Sequence, residues 1–359
     1  MQLSTLARPA ALTHPRIAFL GLGWIGRHRM QAMADAGDIE IVALADPDAD
    51  AVRAAAEVAP DAATGHDLRA LLDQEPDGVV IATPSAMHAA QSIEALEAGA
   101  AVFCQKPLGR DAAETAAVVQ AARKADRLLA TDLSYRHTQA FVALRDLIRG
   151  GDLGQVHTVD LTFHNAYGPD KPWFRDRRLS GGGCLIDLGI HLVDMALWSL
   201  DADGAACLSA HARAGGQPLP DDPHVVEDFV LATLETPQGT VIRLACSWNL
   251  PAGRDAIIGM DAFGTNGGGA VANIDGSFFD FGTWHHQGTS SHQLVAPPDD
   301  WGGRAGADWA RRLRQGAGFD PEAERLTVLA DVLDDIYCKA GASTDAAGTK
   351  AGLAGSAAR

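Results

Sequence analysis

Arg16-Ile17-Ala18-Phe19-Leu20-Gly21-Leu22-Gly23-Trp24-Ile25-Gly26 is the stretch that decides the fold. The apolar run Ile17–Leu20 reads as a strand, and the Gly21-x-Gly23-x-x-Gly26 loop opens a helix directly after it. A second apolar run, from Ile39 to Ala45, ends at Asp46, twenty residues beyond Gly26. Strand, glycine loop, helix and acidic residue in this order describe a dinucleotide site. Gly21 lets the chain turn sharply, Gly23 lets backbone approach a pyrophosphate, and Gly26 lets the helix sit close on the sheet. Trp24 and Ile25 open that helix, whose free N–H groups and partial positive charge favour phosphate. Asp46 suits a ribose diol and would repel a 2′-phosphate, so NAD is expected over NADP. Arg53 lies too far along the next helix to clamp such a phosphate.

Outward from this unit, residues 16 to about 132 alternate short apolar runs with helical patterns. Strands are expected at Ile17–Leu20, Ile41–Ala45, Gly78–Ala82, Ala101–Cys104 and Leu128–Thr131. Helices are expected at Ile25–Ala36, Ala49–Val58, Asp67–Gln74, Ala86–Ala98 and Asp111–Lys124. Such alternation builds βαβ units, hence an α/β, doubly wound parallel sheet of the Rossmann kind. The pattern changes after residue 150. β-rich runs at Gln155–Phe163, Ala205–Ala214, Val225–Glu235, Gly239–Trp248, Ala256–Phe263 and Val271–Ile274 predict a mostly antiparallel sheet in an α+β second domain. Cys184–Leu200 reads as a helix within it. Arg304–Lys339 is helical again and is expected to pack back on the first domain. The division is thus 15–132 and 133–340, with 1–14 and 341–359 as flexible termini.

A chain of 359 residues is long enough for two cores. Its net charge of −17 disfavours nucleic acid and anionic membranes as partners. It does not exclude an anionic small substrate. The cysteines, Cys104, Cys184, Cys207, Cys246 and Cys338, form no Cys-x-x-Cys and suit a reducing compartment. No run of about 18 apolar residues stands out. The first fifteen residues lack an apolar core typical of a signal peptide, so a cytoplasmic location is expected.

Three segments carry chemistry. Thr83 and Pro84 follow the Gly78–Ala82 strand, and carboxyl ends of parallel strands face the ligand crevice. His88 comes in the first turn of the next helix, either as a ligand group or as a helix-packing histidine. Gln105-Lys106-Pro107 ends the Ala101–Cys104 strand. A lysine there seldom lacks a partner or a task, and a desolvated ammonium gives up its proton more readily. The third segment runs Gly181-Gly182-Gly183 and then Asp187, Gly189, His191 and Asp194. The glycines would allow substrate or cofactor to approach the backbone. Asp187 and His191, at i and i+4, share a helix face, and an imidazole beside a carboxylate is an acid/base group. Tyr135 and Arg136 lie near the domain junction, and Asn165, Tyr167, Trp173, Phe174 and Arg175 lie on a loop before Gly181. Such residues suit polyol faces and edges. Trp284-His285-His286 with His292 lacks a completing carboxylate or cysteine, so no metal is expected.

In their order and spacing these marks resemble the Gfo/Idh/MocA oxidoreductases, the group containing glucose–fructose oxidoreductase and inositol dehydrogenase. The marks are Gly21-x-Gly23-x-x-Gly26, Asp46, Thr83-Pro84-x-x-x-His88, Lys106-Pro107 and Gly181-Gly182-Gly183-x-x-x-Asp187-x-Gly189-x-His191. The resemblance spans roughly residues 15 to 340. It implies NAD(P)-dependent hydride transfer to or from a sugar, inositol-like polyol or sugar derivative, with Lys106 and His191 flanking the reacting carbon and Asp187 supporting His191. It implies cofactor contacts from the glycine loop, Asp46, Thr83, Pro84, His88, Gln105 and Lys106. It also places the Trp173 loop near the substrate, alongside Tyr135 and Arg136. A large, open second-domain sheet is implied as the interface of a homodimer or homotetramer. The family pattern has glutamate before the lysine. Gln105 cannot ionise, so charge support for Lys106 is expected to be lost there. The same change leaves open a non-catalytic cofactor- or sugar-sensing regulator.

Overall fold

The computed structural model describes residues 12–341. The first sheet holds β1 (Arg16–Leu20), β2 (Glu40–Ala45), β3 (Ala63–Gly65), β4 (Gly78–Ile81), β5 (Ala101–Cys104) and β6 (Leu129–Thr131). Its order is β3-β2-β1-β4-β5-β6, and every pairing is parallel. The connecting helices are α1 (Trp24–Ala36), α2 (Ala49–Ala56), α3 (Leu68–Leu72), α4 (Ser85–Glu97) and α5 (Ala112–Ala125). β3 was not expected, because Ala63-Thr64-Gly65 is too short to show a period. The order of strands reverses between β1 and β4, so their carboxyl ends open the crevice where a dinucleotide binds in such sheets.

Alternate residues of these strands face opposite sides. Ala18, Leu20, Val79, Ile81, Val102 and Cys104 face a core continuous with the second domain. Ile17, Phe19, Leu44, Val80 and Phe103 face the other side.

The second domain begins with α6 (Gln139–Gly150), β7 (Val156–Asn165), α7 (Arg177–Ser180) and α8 (Ile190–Leu200). β8 (Ala206–Ala214), β9 (Gln217–Pro218), β10 (Phe229–Glu235), β11 (Val241–Ser247) and β12 (Ala256–Gly264) follow. β13 (Gly268–Asn273), β14 (Phe281–Gln287), β15 (Ser290–Val295), α9 (Arg304–Arg314) and α10 (Arg325–Lys339) complete it. The nine strands run β15-β14-β13-β12-β7-β11-β10-β8-β9, antiparallel except where β7 meets β11. The expected hairpin at Thr236-Pro237-Gln238 is present, with Glu235 opposite Val241. β7 alternates cleanly, with Val159, Leu161 and Phe163 buried inward.

α9 returns to the first domain. Trp309 is buried in the same cluster as Ile17 and Phe19, 5.8 Å from the Phe103 ring. α10 instead packs on both α5 and β8 and so spans the two units. The expected flexible segments lie outside the described residues apart from 12–14 and 341, and Leu12 donates to the Arg314 carbonyl.

One correction concerns apolar length. Arg177–Leu200 is, by length and composition, apolar enough to cross a bilayer, with a mean hydropathy of 1.4, but 78% of that window is buried within the fold. Its composition reflects a helix surrounded by core, since nearly every residue from Ile190 to Ser199 is buried.

Candidate active site

The glycine loop is shaped by its neighbours. Gly21 has φ of +86°, and a Cβ there would lie 2.6 Å from the Ala82 carbonyl group. A Cβ at Gly26 would lie 2.0 Å from the Gly21 oxygen, whereas one at Gly23 would meet nothing within 4 Å. Gly23 therefore faces open space at the start of α1, which has no side-chain cap and no acidic residue in its first turn. Asp46, at the end of β2, accepts from Leu22 N at 2.7 Å and from Asp48 N at 2.8 Å, fixing the loop. Asp48, not Asp46, caps α2. Arg53 is an exposed partner of Asp50. An uncapped helix end, an open position at Gly23 and a carboxylate at the strand end fit a dinucleotide.

Below this loop lies a cavity of about 740 Å³, lined from both domains. Gly21, Gly23, Trp24, Ile25, Asp46, Thr83, Pro84, His88, Gln105, Lys106, Tyr135, Trp173, Asp187 and His191 all border it. Gly26 packs behind the loop. Phe174 borders the cavity, whereas Asn165, Tyr167 and Arg175 do not.

The reactive corner is built where β5 meets the helix that follows the three glycines. The Lys106–Pro107 bond is cis. Lys106 Nζ donates to Asp187 Oδ1 at 2.6 Å and to the Asp187 carbonyl at 2.7 Å. Trp248 Nε1 donates to Asp187 Oδ2 at 3.0 Å. His191 is 9% exposed and stands edge-on to Tyr135, with ring centroids 5.0 Å apart. Burial holds the imidazole well below the ordinary histidine range, and the nearby Lys106 and Arg29 charges push it further down. It is neutral at pH 7, so a ring nitrogen keeps its lone pair, and the same burial makes it a weaker base than a free imidazole.

The expected support of His191 by Asp187 is not what the fold provides. Leu185–Gly189 forms a π-helical turn, in which the Ile190 N–H bonds the Leu185 carbonyl five residues back. Asp187 is instead drawn to Lys106 and Trp248. Both of its carboxylate oxygens are engaged elsewhere, and no hydrogen bond joins it to His191 among the described residues. The corner is therefore a Lys106–Asp187 ion pair facing a separate neutral histidine.

Gln105 also differs from expectation. Its Nε2 donates to Asp132, which accepts from Arg29 Nε at 2.6 Å and from Ser134 Oγ at 2.8 Å. All four side chains are buried. Gln105 thus points toward Asp132, and Asp187 supplies the partner charge for Lys106.

His88 is 1% exposed, with Nδ1 2.6 Å from the Pro107 carbonyl and Nε2 2.7 Å from the Thr83 carbonyl. Of the two roles open to it, the geometry favours packing: the ring lies between the ends of β4 and β5 with both nitrogens turned to backbone carbonyls, and burial keeps it neutral, so it donates to one of the two. Arg136 is a second correction. It grips Asp194 through Nε and Nη2, and both line a separate small cavity with Trp198 and Arg325. Its charge is spent on a buried partner, so it is absent from the cleft. The triple glycine is a third. A Cβ at Gly181 would meet Arg110 at 2.8 Å, at Gly182 the Tyr337 hydroxyl at 1.9 Å, and at Gly183 the Glu227 carbonyl oxygen at 2.0 Å. At all three positions the protein's own chain comes close, and Gly182 also borders the cleft.

Sequence reasoning missed Arg29, Asp132, Glu227, Trp248, Phe278, Phe279 and Trp301. Asp132 follows β6 as Thr83 follows β4, so the strand-end rule would have found it. Arg29 shares the buried face of α1 with Gly26 and Met33. The others come from distant segments with no local mark.

A family model described as an oxidoreductase family with an NAD-binding Rossmann fold matches residues 15–133, and the GFO/IDH/MocA C-terminal domain model matches residues 141–270. The chain belongs to the Gfo/Idh/MocA oxidoreductase family. This oxidoreductase is 29% identical to D-glucoside 3-dehydrogenase of Escherichia coli (strain K12) over 268 residues, 71% of this chain and 76% of that one. It is 31% identical to a putative UDP-kanosamine synthase oxidoreductase subunit of Amycolatopsis mediterranei over 258 residues, 68% and 71% of the two chains. Among solved structures, levoglucosan dehydrogenase in complex with NADH and levoglucosan superposes with a TM-score of 0.78 at 21% identity, covering 91% of this chain and 97% of that one. At that identity the likeness speaks for the shared fold of this oxidoreductase.

Proposed function

We propose that this oxidoreductase uses NAD to oxidise a secondary carbinol of a sugar, polyol or sugar derivative, or to reduce the matching ketone. The observation that carries this reading is one corner of the cleft, where the Lys106–Asp187 pair and the neutral His191 face the same cavity beneath the glycine loop. Bound nicotinamide supplies the hydride acceptor or donor. Lys106 uses two N–H groups on Asp187 and has a third for the substrate oxygen, which it polarises. A ring nitrogen of His191 takes the hydroxyl proton as the C–H bond breaks, and returns it in the reverse direction. Asp187 holds Lys106 in place and, through Trp248, is itself held. NAD is favoured over NADP because Asp46 closes β2 with a carboxylate and Arg53 is occupied by Asp50.

The same reading includes a cytoplasmic protein that engages neither nucleic acid nor membrane, and a homodimer or homotetramer. The outer face of the nine-stranded sheet exposes Leu231 (44%) and Phe263 (41%), which share one side by strand register, and a second copy would cover them. Light scattering would read the assembly. The catalytic test is kinetic. Lys106→Met and His191→Ala should each lower kcat/KM by about 10²–10⁴-fold on a turned-over sugar. Near-normal turnover in either variant removes that residue from the mechanism.

A further inference from the structure

We infer that the substrate is an uncharged glycoside carrying an aromatic or other apolar ring as its aglycone, not a nucleotide-linked sugar. This rests on the reading above and narrows it.

Two runs of aromatic rings lead away from the reactive corner. One starts at His191 and steps outward through Tyr135 at 5.0 Å, Trp301 at a further 5.3 Å and Phe279 at a further 6.0 Å. Trp301 is fixed by its Nε1, which donates to the Phe279 carbonyl at 2.9 Å. Phe279, at the outer end, is 51% exposed. The other starts at Trp248, bonded to Asp187, and runs to Phe174 at 6.5 Å and to Trp173, stacked on Phe174 at 3.8 Å. Tyr135, Trp301, Phe279, Phe174 and Trp173 all border the cavity that holds Lys106 and His191, so whatever extends outward from a carbinol seated there meets aromatic rings. Aromatic faces suit the C–H face of a pyranose and a flat apolar ring beyond it.

The charges of the cleft point the same way. Five aspartates border it (Asp46, Asp67, Asp132, Asp170 and Asp187) against three lysines and arginines. Each of those three cations already faces a carboxylate. Arg29 meets Asp132 at 2.6 Å, Lys106 meets Asp187 at 2.6 Å, and Lys171 lies 3.9 Å from Asp170. The uncapped start of α1 serves the dinucleotide. A second diphosphate, from a nucleotide sugar, would enter a cleft with more aspartates than cations, where only the exposed Lys171 is loosely held.

The test offers the protein and NAD a panel, following nicotinamide absorbance. The panel holds phenyl and methyl glycosides of glucose, galactose, mannose and xylose, the free sugars, myo-inositol and UDP-glucose. For the sugar that is turned over, the phenyl glycoside should exceed the methyl glycoside in kcat/KM by about tenfold. UDP-glucose should fall below free glucose. Trp173→Ala and Phe279→Ala should each shrink the phenyl-to-methyl ratio several-fold, with an intact NAD-induced rise in Tm showing that the variants fold. Turnover with equal phenyl and methyl rates, a ratio unchanged in both variants, or a preference for UDP-glucose overturns the inference and leaves the oxidoreductase reading standing. Failure of every compound to react overturns both.

Discussion

Gln105 stands where the family pattern has glutamate, and its neighbours give the reason. Asp132 already provides a buried carboxylate, neutralised by Arg29 and hydrogen-bonded by the Gln105 carboxamide and Ser134. A glutamate at 105 could not donate to Asp132, and two carboxylates would then compete for one guanidinium. Gln105→Glu should cost roughly 3 kcal/mol at neutral pH, the scale of an uncompensated buried charge. The penalty should shrink on the acid side, where the two carboxyl groups can share one proton. Adding Asp132→Asn, which restores the donor and the single carboxylate, should recover most of the loss. Urea unfolding of both variants across pH checks this, and a pH-independent loss or an unrescued double variant would refute the charge count. The departure at 105 was legible in the sequence. Its compensation was not, because Asp132 is 27 residues away and only the fold brings the two together.

At the scale of elements, the helix bearing His191 depends on a residue with no sequence signature. Glu227 precedes β10, yet its Oε1 accepts from Gly183 N at 2.9 Å, Leu185 N at 3.0 Å and Tyr337 Oη at 2.7 Å. It satisfies the free N–H groups where the π-helical turn begins. Gly181–Gly183 are readable as a close approach, but the chain segments that come close, at Arg110, Glu227 and Tyr337, have no local mark in the sequence. The i, i+4 spacing of Asp187 and His191 puts them on one helix face, and only the structure shows that Lys106 and Trp248, from distant segments, take both carboxylate oxygens. Because all three donors reach a single oxygen, Glu227→Gln can keep them and should be tolerated. Burial pushes the Glu227 carboxyl up from its ordinary range. Its contribution to stability is thus full below the unfolded glutamate value and falls as pH rises through the higher folded one, a slope that Gln removes. Glu227→Ala orphans two buried N–H groups and a hydroxyl, and should cost about 2–4 kcal/mol while lowering kcat through displacement of Asp187. Denaturant midpoints and steady-state rates for the two variants check this. An alanine variant no less stable than the glutamine one would show that the oxygen does not hold the turn.

Across the whole molecule, strand–helix alternation made the first domain readable because each βαβ unit is local in sequence. The cleft was only half readable for the opposite reason. Lys106 and Gln105 come from the first sheet, His191 and Asp187 from the second domain, and Trp301 from the segment leading back to α9. The Lys106–Asp187 pair joins the two domains at the site, and α9 and α10 join them again outside it. A nucleotide on the first domain should therefore stabilise the folded chain as one unit. At a concentration about 100-fold above its Kd, NAD should add roughly 2.7 kcal/mol, which is a Tm rise of about 3–4 °C at this size. NADP at the same concentration should give a clearly smaller rise, because its 2′-phosphate must sit against the Asp46 carboxylate. Leu22 N and Asp48 N bond different Asp46 oxygens, so Asp46→Asn keeps an acceptor for only one of them while removing the charge, and it should lower the starting Tm somewhat yet narrow the gap mainly by improving NADP. An NADP rise equal to that of NAD in the unmodified protein would reverse the cofactor assignment. A gap unchanged in Asp46→Asn would keep the preference but move its cause away from the carboxylate.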